Sequence, residues 1–294
     1  MTENTPPVCN YEDSDYQQSF WETGGRAYED AAEEIALKHL LPAGGKNLLE
    51  LGAGAGRNTS RYAGFESITL VDYSLTQLQQ AVNRLGRSER YRYVAADIYR
   101  LPLGERLFDA ATMIRTLHHM KDAPLALAKV QACLQPGAVF ILEYANKLNL
   151  KAMLRYALKR QTWNPYSLEP VEFAELNFDF HPQAIRNWLQ QTGFRLERQL
   201  TVSHFRVGFL KRLFPARFLA ALDSVASLTG DWWQLTPSVF TRSIVENKAD
   251  GLVDALFHCP ACRTPLQDTP PELICSGCGK RYPVIDGIYD FRAG

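Results

Sequence analysis

Five apolar runs, NLLELG, SITLVDY, YRYVAAD, FDAATMI and AVFILEY, recur between Asn47 and Tyr144, and helix-patterned segments such as LTQLQQAVNRL and APLALAKVQACL lie among them. Strands that alternate with helices connect as βαβ units, whose crossovers impose a parallel sheet with helices on both faces. The fold class expected is therefore α/β, a doubly wound sheet. Upstream, YEDAAEEIALKHLLP reads as a helix from Tyr28 to Leu41, stopped by Pro42 and the following GG. Beyond Tyr144 the pattern loosens. A basic amphipathic stretch, NKLNLKAMLRYALKR, precedes the loop WNPYSLEP, the helix HPQAIRNWLQQTGF and the strand RLERQLTVS. FRVGFLKRLFPARFLAALDSVASL reads as helical in part, and PSVFTRSIVEN as a last strand. KADGLVDALF would then link to a cysteine-rich end, giving segments 1–27, 28–247 and 248–294.

The first strand runs into a turn, ELGAGAGRNT, with Gly52, Gly54 and Gly56 at alternate positions. Doubly wound sheets place ligands at this C-terminal edge. A dinucleotide fingerprint requires G-x-G-x-x-G, and the position of its third glycine is missed because Arg57 follows Gly56. An NAD-dependent oxidoreductase loses its best support there. Asp72 ends the second strand, twenty residues beyond Gly52, where a carboxylate can accept hydrogen bonds from two ribose hydroxyls. Asp97 ends the third strand, where it could accept from an adenine amino group while the Ile98 N–H meets a ring nitrogen. Either aspartate alone would also serve as a helix N-cap.

Taken together, LLELGAGAGRNT, LVDYS, AADIYRLPL and ERLFDAATMIRTLHHM resemble, in order and spacing, the motifs of class I S-adenosylmethionine-dependent methyltransferases. The likeness spans Tyr28 to Asn247. It implies a Rossmann-like, seven-stranded sheet whose last strand is antiparallel. It also implies that Gly52, Ala53 and Gly54 lie under the methionine and ribose, that Asp72 and Tyr73 hold the ribose, and that Asp97 and Ile98 hold adenine. Glu50 would face the methionine ammonium. Met113, Ile114 and Arg115 would lie near the sulfonium, although Arg115 departs from the small residues usual there. The aromatic opening, with Tyr11, Tyr16, Phe20, Trp21 and Tyr28, reads equally as a lid over the cofactor or as a hydrophobic cap. Arg26 and Tyr28 are its cofactor-facing candidates.

Six cysteines are present, and four cluster in HCPACRTPLQDTPPELICSGCGKRYP. Cys259 and Cys262 form one C-x-x-C knuckle and Cys275 and Cys278 a second, with twelve residues between them. Four thiolates so spaced can surround one tetrahedral ion, with structural Zn2+ expected and rubredoxin-like iron the alternative. This segment resembles the Trm-type zinc ribbon of methyltransferase activator subunits. Here it is fused to a catalytic domain, on which it would pack. Cys9 and Cys133 are assigned no role.

A sulfonium already carries a good leaving group, so such an enzyme chiefly aligns a nucleophile and excludes water. His118, His119, Glu143 and Tyr144 are the candidates for a base, and a Leu-His-His run also commonly begins the next helix in this family. The acceptor expected is a small molecule. The mixed basic and apolar stretches also suit a lipid or quinone at a membrane surface, or RNA. Balanced charge, 32 basic against 32 acidic residues, supplies no global attraction to nucleic acid. The start lacks a leader pattern and no apolar run approaches the roughly 18 residues of a membrane span, so the expectation is a cytoplasmic protein. A non-catalytic S-adenosylmethionine-binding scaffold is the rival reading.

Overall fold

The computed structural model describes residues 5–14, 19, 21, 23–246 and 255–292. Tyr16, Phe20 and most of the expected linker lie outside the described residues. The first half alternates as expected: α1 (Ala27–Leu40), β1 (Gly45–Leu51), β2 (Phe65–Asp72), α2 (Leu75–Leu85), β3 (Tyr91–Ala95), β4 (Phe108–Met113), α3 (Ala123–Cys133) and β5 (Leu134–Ala145). There follow α4 (Leu150–Ala157), a small hairpin of β6 (Val171–Ala174) and β7 (Asn177–Asp179), α5 (Pro182–Gln191), β8 (Phe194–Val202), α6 (Gly208–Leu213), α7 (Ala216–Ser227) and β9 (Ser238–Val245). The cysteine-rich end contributes β10 (Phe257–His258), β11 (Pro265–Leu266), β12 (Glu272–Ile274), β13 (Arg281–Ile285) and β14 (Ile288–Asp290).

Strands β3, β2, β1, β4 and β5 pair in parallel in that order, and β9 runs antiparallel between β5 and β8. That accounts for seven strands with one reversed, as the family resemblance implies. The sheet does not end there. β14 pairs in parallel with β3, Ile288 opposite Tyr93 and Asp290 opposite Ala95, and β13 and β12 continue from it. The mixed sheet therefore has ten strands, because the outer edge of β3 leaves N–H and C=O groups that need partners and the cysteine-rich segment supplies them.

Successive residues of β1 point to opposite faces, so Leu48 joins one buried cluster and Leu49 and Leu51 the other. The second cluster takes in Phe257, Leu273, Tyr282 and Phe291 from the cysteine-rich end, so both parts of the chain share one core. The long helical stretch expected after Phe205 breaks at Pro215. The residue before a proline is pushed out of the α region, and Phe214 is extended (φ −120°, ψ 145°) between α6 and α7.

Phe257 is buried against Tyr289 and Phe291, with ring centroids 4.7 and 5.2 Å away. Phe257→Ala should cost about 3–5 kcal/mol of stability. All five tryptophans lie outside residues 255–292, so tryptophan fluorescence during urea unfolding reports on the larger part alone. A midpoint unmoved by this substitution would show that the two parts unfold separately.

Candidate active site

The turn after β1 opens a cleft at the C-terminal edge of the sheet, of about 1060 Å³ including space open to solvent. Gly52 and Gly54 have φ of +64° and +52°, a region that penalises any Cβ. Their surroundings differ. A Cβ on Gly52 would lie 2.0 Å from Thr116 Oγ1, whereas one on Gly54 meets nothing nearer than Gln77 Oε1 at 3.9 Å. Gly56 is hemmed in by Leu85. Gly52 and Gly56 thus answer to protein packing, and Gly54 presents its backbone to the cleft.

Asp72, at the end of β2, accepts from Gly54 N–H (2.8 Å) and Ser74 N–H (3.0 Å). It ties the glycine turn to the start of α2, where Ser74 is the N-cap. Burial pushes its carboxyl up against those two donors. Glu50 is buried on the cleft wall and accepts from Thr59 Oγ1 at 2.6 Å. Burial pushes it up to about 7, with the Thr59 hydroxyl and the Arg57 cation opposing. Asp97 accepts from Tyr99 N–H (2.8 Å) as the cap of a short turn, and beside it Ala96 and Ile98 form the cleft wall. Gly52, Ala53, Gly54, Tyr73 and Ile114 also line the cleft.

At the other end, two arginines organise the wall. Glu33 on α1 is fully buried between Arg57 (2.7 Å) and Arg115 Nε (2.5 Å). Burial pushes Glu33 up, but the two guanidinium groups outweigh it and hold the carboxyl below its usual range. Arg57 also pairs with Asp30, and the Trp21 ring lies 3.5 Å from the Arg57 guanidinium carbon and 5.1 Å from that of Arg115. Arg57, Arg115 and Trp21 all line the cleft. In the sequence Arg57 speaks only against a dinucleotide turn, and Arg115 has no evident partner. The signal available was Asp30 and Glu33 at i, i+3 on one face of α1, waiting for cations.

Several expected positions fall elsewhere. Tyr28 is buried under α7, donating to Asp223 Oδ1 (3.1 Å) and accepting from Phe205 N–H (2.9 Å). Arg26 pairs with Glu29 at 3.2 Å. Neither lines the cleft, because the first turn of α1 docks on α7 and the loop before it. Tyr144 points into the core, the opposite face of β5 from Glu143, and does not line the cleft. Glu143 accepts from Ser238 Oγ (2.6 Å) and Arg115 N–H (2.9 Å), and burial pushes its carboxyl up.

His119 lines the cleft, with Nδ1 3.1 Å from Leu176 O and Nε2 3.1 Å from Tyr11 Oη. A carbonyl only accepts, so Nδ1 carries the proton and Nε2 accepts from Tyr11. Burial lowers its pKa, and that of the adjoining His118 ring further. His119 is thereby a strut joining the N-terminal segment to the β6–β7 hairpin. Cys9, given no role from the sequence, sits on the same wall with Val8 and Tyr11.

The four cysteines converge, their sulfurs all within 4.8 Å of one another. Cys259 and Cys278 are 3.6 Å apart and Cys262 and Cys275 3.4 Å, close to the edge of about 3.8 Å expected for tetrahedral sulfur at 2.3 Å from zinc. Tyr282 Oη and Thr264 Oγ1 lie 3.1 and 3.2 Å from Cys259 and Cys262 sulfur, as donors to thiolates would. From the first knuckle, Arg263 donates to Leu101 O (2.8 Å) and Leu103 O (3.0 Å). Arg292, just past β14, donates to Tyr73 O (3.3 Å) and Glu12 Oε2 (2.8 Å), and Glu12 accepts in turn from Leu75 N–H and Thr76 N–H at the start of α2.

The profile of a methyltransferase domain matches residues 20–199, and that of Trm112p-like proteins residues 257–287. The chain is 31% identical over 140 residues to the O-methyltransferase cnsE of Penicillium expansum (46% of this chain, 49% of that protein). It is 32% identical over 173 residues to the 2-phytyl-1,4-naphtoquinone methyltransferase of Nostoc punctiforme (48% of this chain, 75% of that protein). The chain spans about half the length, or less, of the first curated relatives it matches. Among solved structures, a chain from the complex of the Haloferax volcanii Trm112 methyltransferase activator with a methyltransferase shares the fold, at TM-score 0.54 and 12% identity, covering 80% of this chain and 98% of that one.

The raised Glu50 carboxyl carries a pH signature. Between its unfolded value near 4.3 and its folded value near 7, the folded state keeps a proton that the unfolded state has lost. The stability it contributes is complete at low pH and disappears as pH rises through 7. Glu50→Gln, permanently neutral, should stabilise the ligand-free protein by about 1–3 kcal/mol at pH 8 and by little at pH 4.5, as read by urea denaturation. An equal effect at both pH values would contradict this assignment.

Proposed function

This chain belongs to the methyltransferase-domain family, and from that premise we propose that it binds S-adenosylmethionine in the cleft and transfers its methyl group to a small-molecule acceptor. The observation that carries the reading is Asp72, held by Gly54 and Ser74 N–H where β2 meets the glycine turn, with the buried Glu50 on the same wall. Asp72 keeps acceptor capacity for ribose hydroxyls. The Ile98 N–H and the Asp97 carboxylate are the adenine contacts. Glu50, pushed up by burial that Arg57 only partly offsets, would meet the ammonium of the methionine moiety, which would restore its ionised form.

Bound S-adenosylmethionine supplies an electrophilic methyl on a sulfonium. The chain's part is positioning: Arg57, Arg115 and Trp21 fix the wall around Ile114, and Tyr11, braced by His119, closes the cleft from above. No side chain of the cleft is required to take a proton. His119 has both ring nitrogens engaged, and Glu143, off the cleft wall, has both carboxylate oxygens engaged, so this reading gives neither a proton-accepting role.

In this reading Cys259, Cys262, Cys275 and Cys278 hold a structural zinc, with no open coordination position for chemistry. The zinc ribbon then acts as a built-in counterpart of a Trm112-type activator, since its β14 completes the sheet edge and its Arg292 steadies Tyr73 and Glu12. Reduced, metal-bound cysteines accord with a cytoplasmic site of action.

Calorimetry with S-adenosylmethionine, S-adenosylhomocysteine and NAD tests the reading. The first two should bind and NAD should not, and binding of NAD alone would overturn it. Asp72→Ala should weaken S-adenosylmethionine by about tenfold or more, some 1.4 kcal/mol. Stripping the metal with a chelator should lower the unfolding temperature and weaken S-adenosylmethionine together. An unchanged affinity in the stripped, still folded protein would detach the ribbon from the cleft.

A further inference from the structure

The segments between β5 and β9 leave a broad apolar surface uncovered. On α4 and its cap, Leu150, Leu154 and Leu158 recur at i, i+4 and i+8 and are each more than half exposed. Lys151 and Arg155 recur one residue later, about 100° round the helix, and both are exposed, as is Lys159 just beyond its end. Only Ala152 of this helix is buried. Leu150 N–H donates to Leu235 O at 2.9 Å, which seats the start of α4 beside the segment holding Trp232 and Trp233. Trp232 is 75% exposed, and on α6 Phe209 is 69% exposed. An apolar area of this extent marks an interaction site, since monomeric proteins rarely leave one open to water.

Charge selects the partner. Residues 146–168 and 204–222 contain nine lysines and arginines and no aspartate or glutamate, within a chain whose overall charge is balanced. Lys147 is buried and Arg206 and Lys211 pair with Glu29, which leaves Lys151, Arg155, Lys159, Arg160, Arg212 and Arg217 exposed on these segments. Asp231, the acid nearest the tryptophans in sequence, has Oδ1 on Gln199 N–H at 2.6 Å. Exposed leucine, phenylalanine and tryptophan flanked by basic side chains match the boundary of an anionic bilayer, where apolar groups enter the acyl region and Lys and Arg reach up to phosphates. An RNA surface would leave the leucine stripe in contact with phosphate and water. Among the described residues no helix is long and apolar enough to cross a membrane, so the contact would be peripheral.

We propose that this face docks on an anionic lipid surface, with α4, α6 and the Trp232–Trp233 segment at the headgroup boundary. The proposal is independent of methyl transfer.

The test is flotation of the full chain, without cofactor, on phosphatidylcholine vesicles with and without phosphatidylglycerol. Binding should require phosphatidylglycerol, weaken in high salt, and fall about tenfold or more in a Phe209→Ser, Trp232→Ser, Trp233→Ser variant whose circular dichroism and unfolding midpoint match the parent. In the unmodified chain, brominated acyl chains should quench tryptophan fluorescence, and Trp232→Phe with Trp233→Phe should lower that quenching, with half-buried Trp163 in the loop after α4 accounting for what remains. Absence of binding to phosphatidylglycerol vesicles would overturn the proposal. So would quenching undiminished by loss of both tryptophans, binding to polyuridylate without binding to vesicles, or a dimer that the serine variant abolishes. Calorimetry with S-adenosylmethionine, run separately, shows whether the transferase reading stands or falls by itself.

Discussion

The pairing of β14 with β3 is the constraint around which the rest of this structure is arranged. Without it β3 would be an edge strand, with backbone groups exposed and an apolar flank lacking Phe257, Tyr282 and Phe291. The cysteine-rich segment has the converse problem, since its short strands bury little by themselves. Tetrahedral closure by four sulfurs would set the knuckles, and docking on β3 supplies the missing core. Phe291 N–H donates to Ala95 O at 2.8 Å, one residue from the cleft wall at Ala96, so sheet completion and cleft geometry are mechanically adjacent.

A second organising element is the ion cluster around Glu33. Burying a carboxylate is costly unless it is paired, and a buried pair is a better specifier of geometry than a source of net stability. Two arginines from distant parts of the chain, one after the glycine turn and one after β4, must both reach α1 for the cluster to close. That requirement fixes where α1 lies behind the cleft wall and where Trp21 stacks. Arg115 adopts a left-handed backbone (φ +55°), which directs its N–H to Glu143 and its guanidinium to Glu33 at once.

Much of this was legible in the residues. Strand and helix alternation, the glycine turn, Asp72 and the two knuckles are local patterns, each dictated by a short-range rule of backbone sterics, capping or ligand spacing. The misplaced expectations share a different character. Tyr28 and Arg26 adjoin an aromatic segment in sequence, but the direction of a side chain at the start of a helix depends on what that helix packs against, here α7. Tyr144 has the chemistry of a base but stands on a strand whose alternation sends it into the core while its neighbour Glu143 faces Arg115.

The fold class, the glycine turn, the acid at the second strand end and the four sulfurs can be read from the sequence, because these follow from periodicity and spacing within a few residues. Only the tertiary structure brings the cysteine-rich segment in to extend the sheet to ten strands, lets Arg57 and Arg115 share Glu33, and carries Arg292 to Tyr73 and Glu12. Those contacts join residues as much as 280 positions apart. No local pattern encodes them, since they arise only when desolvated charges and unpaired strand edges from separate segments are brought together and must be satisfied.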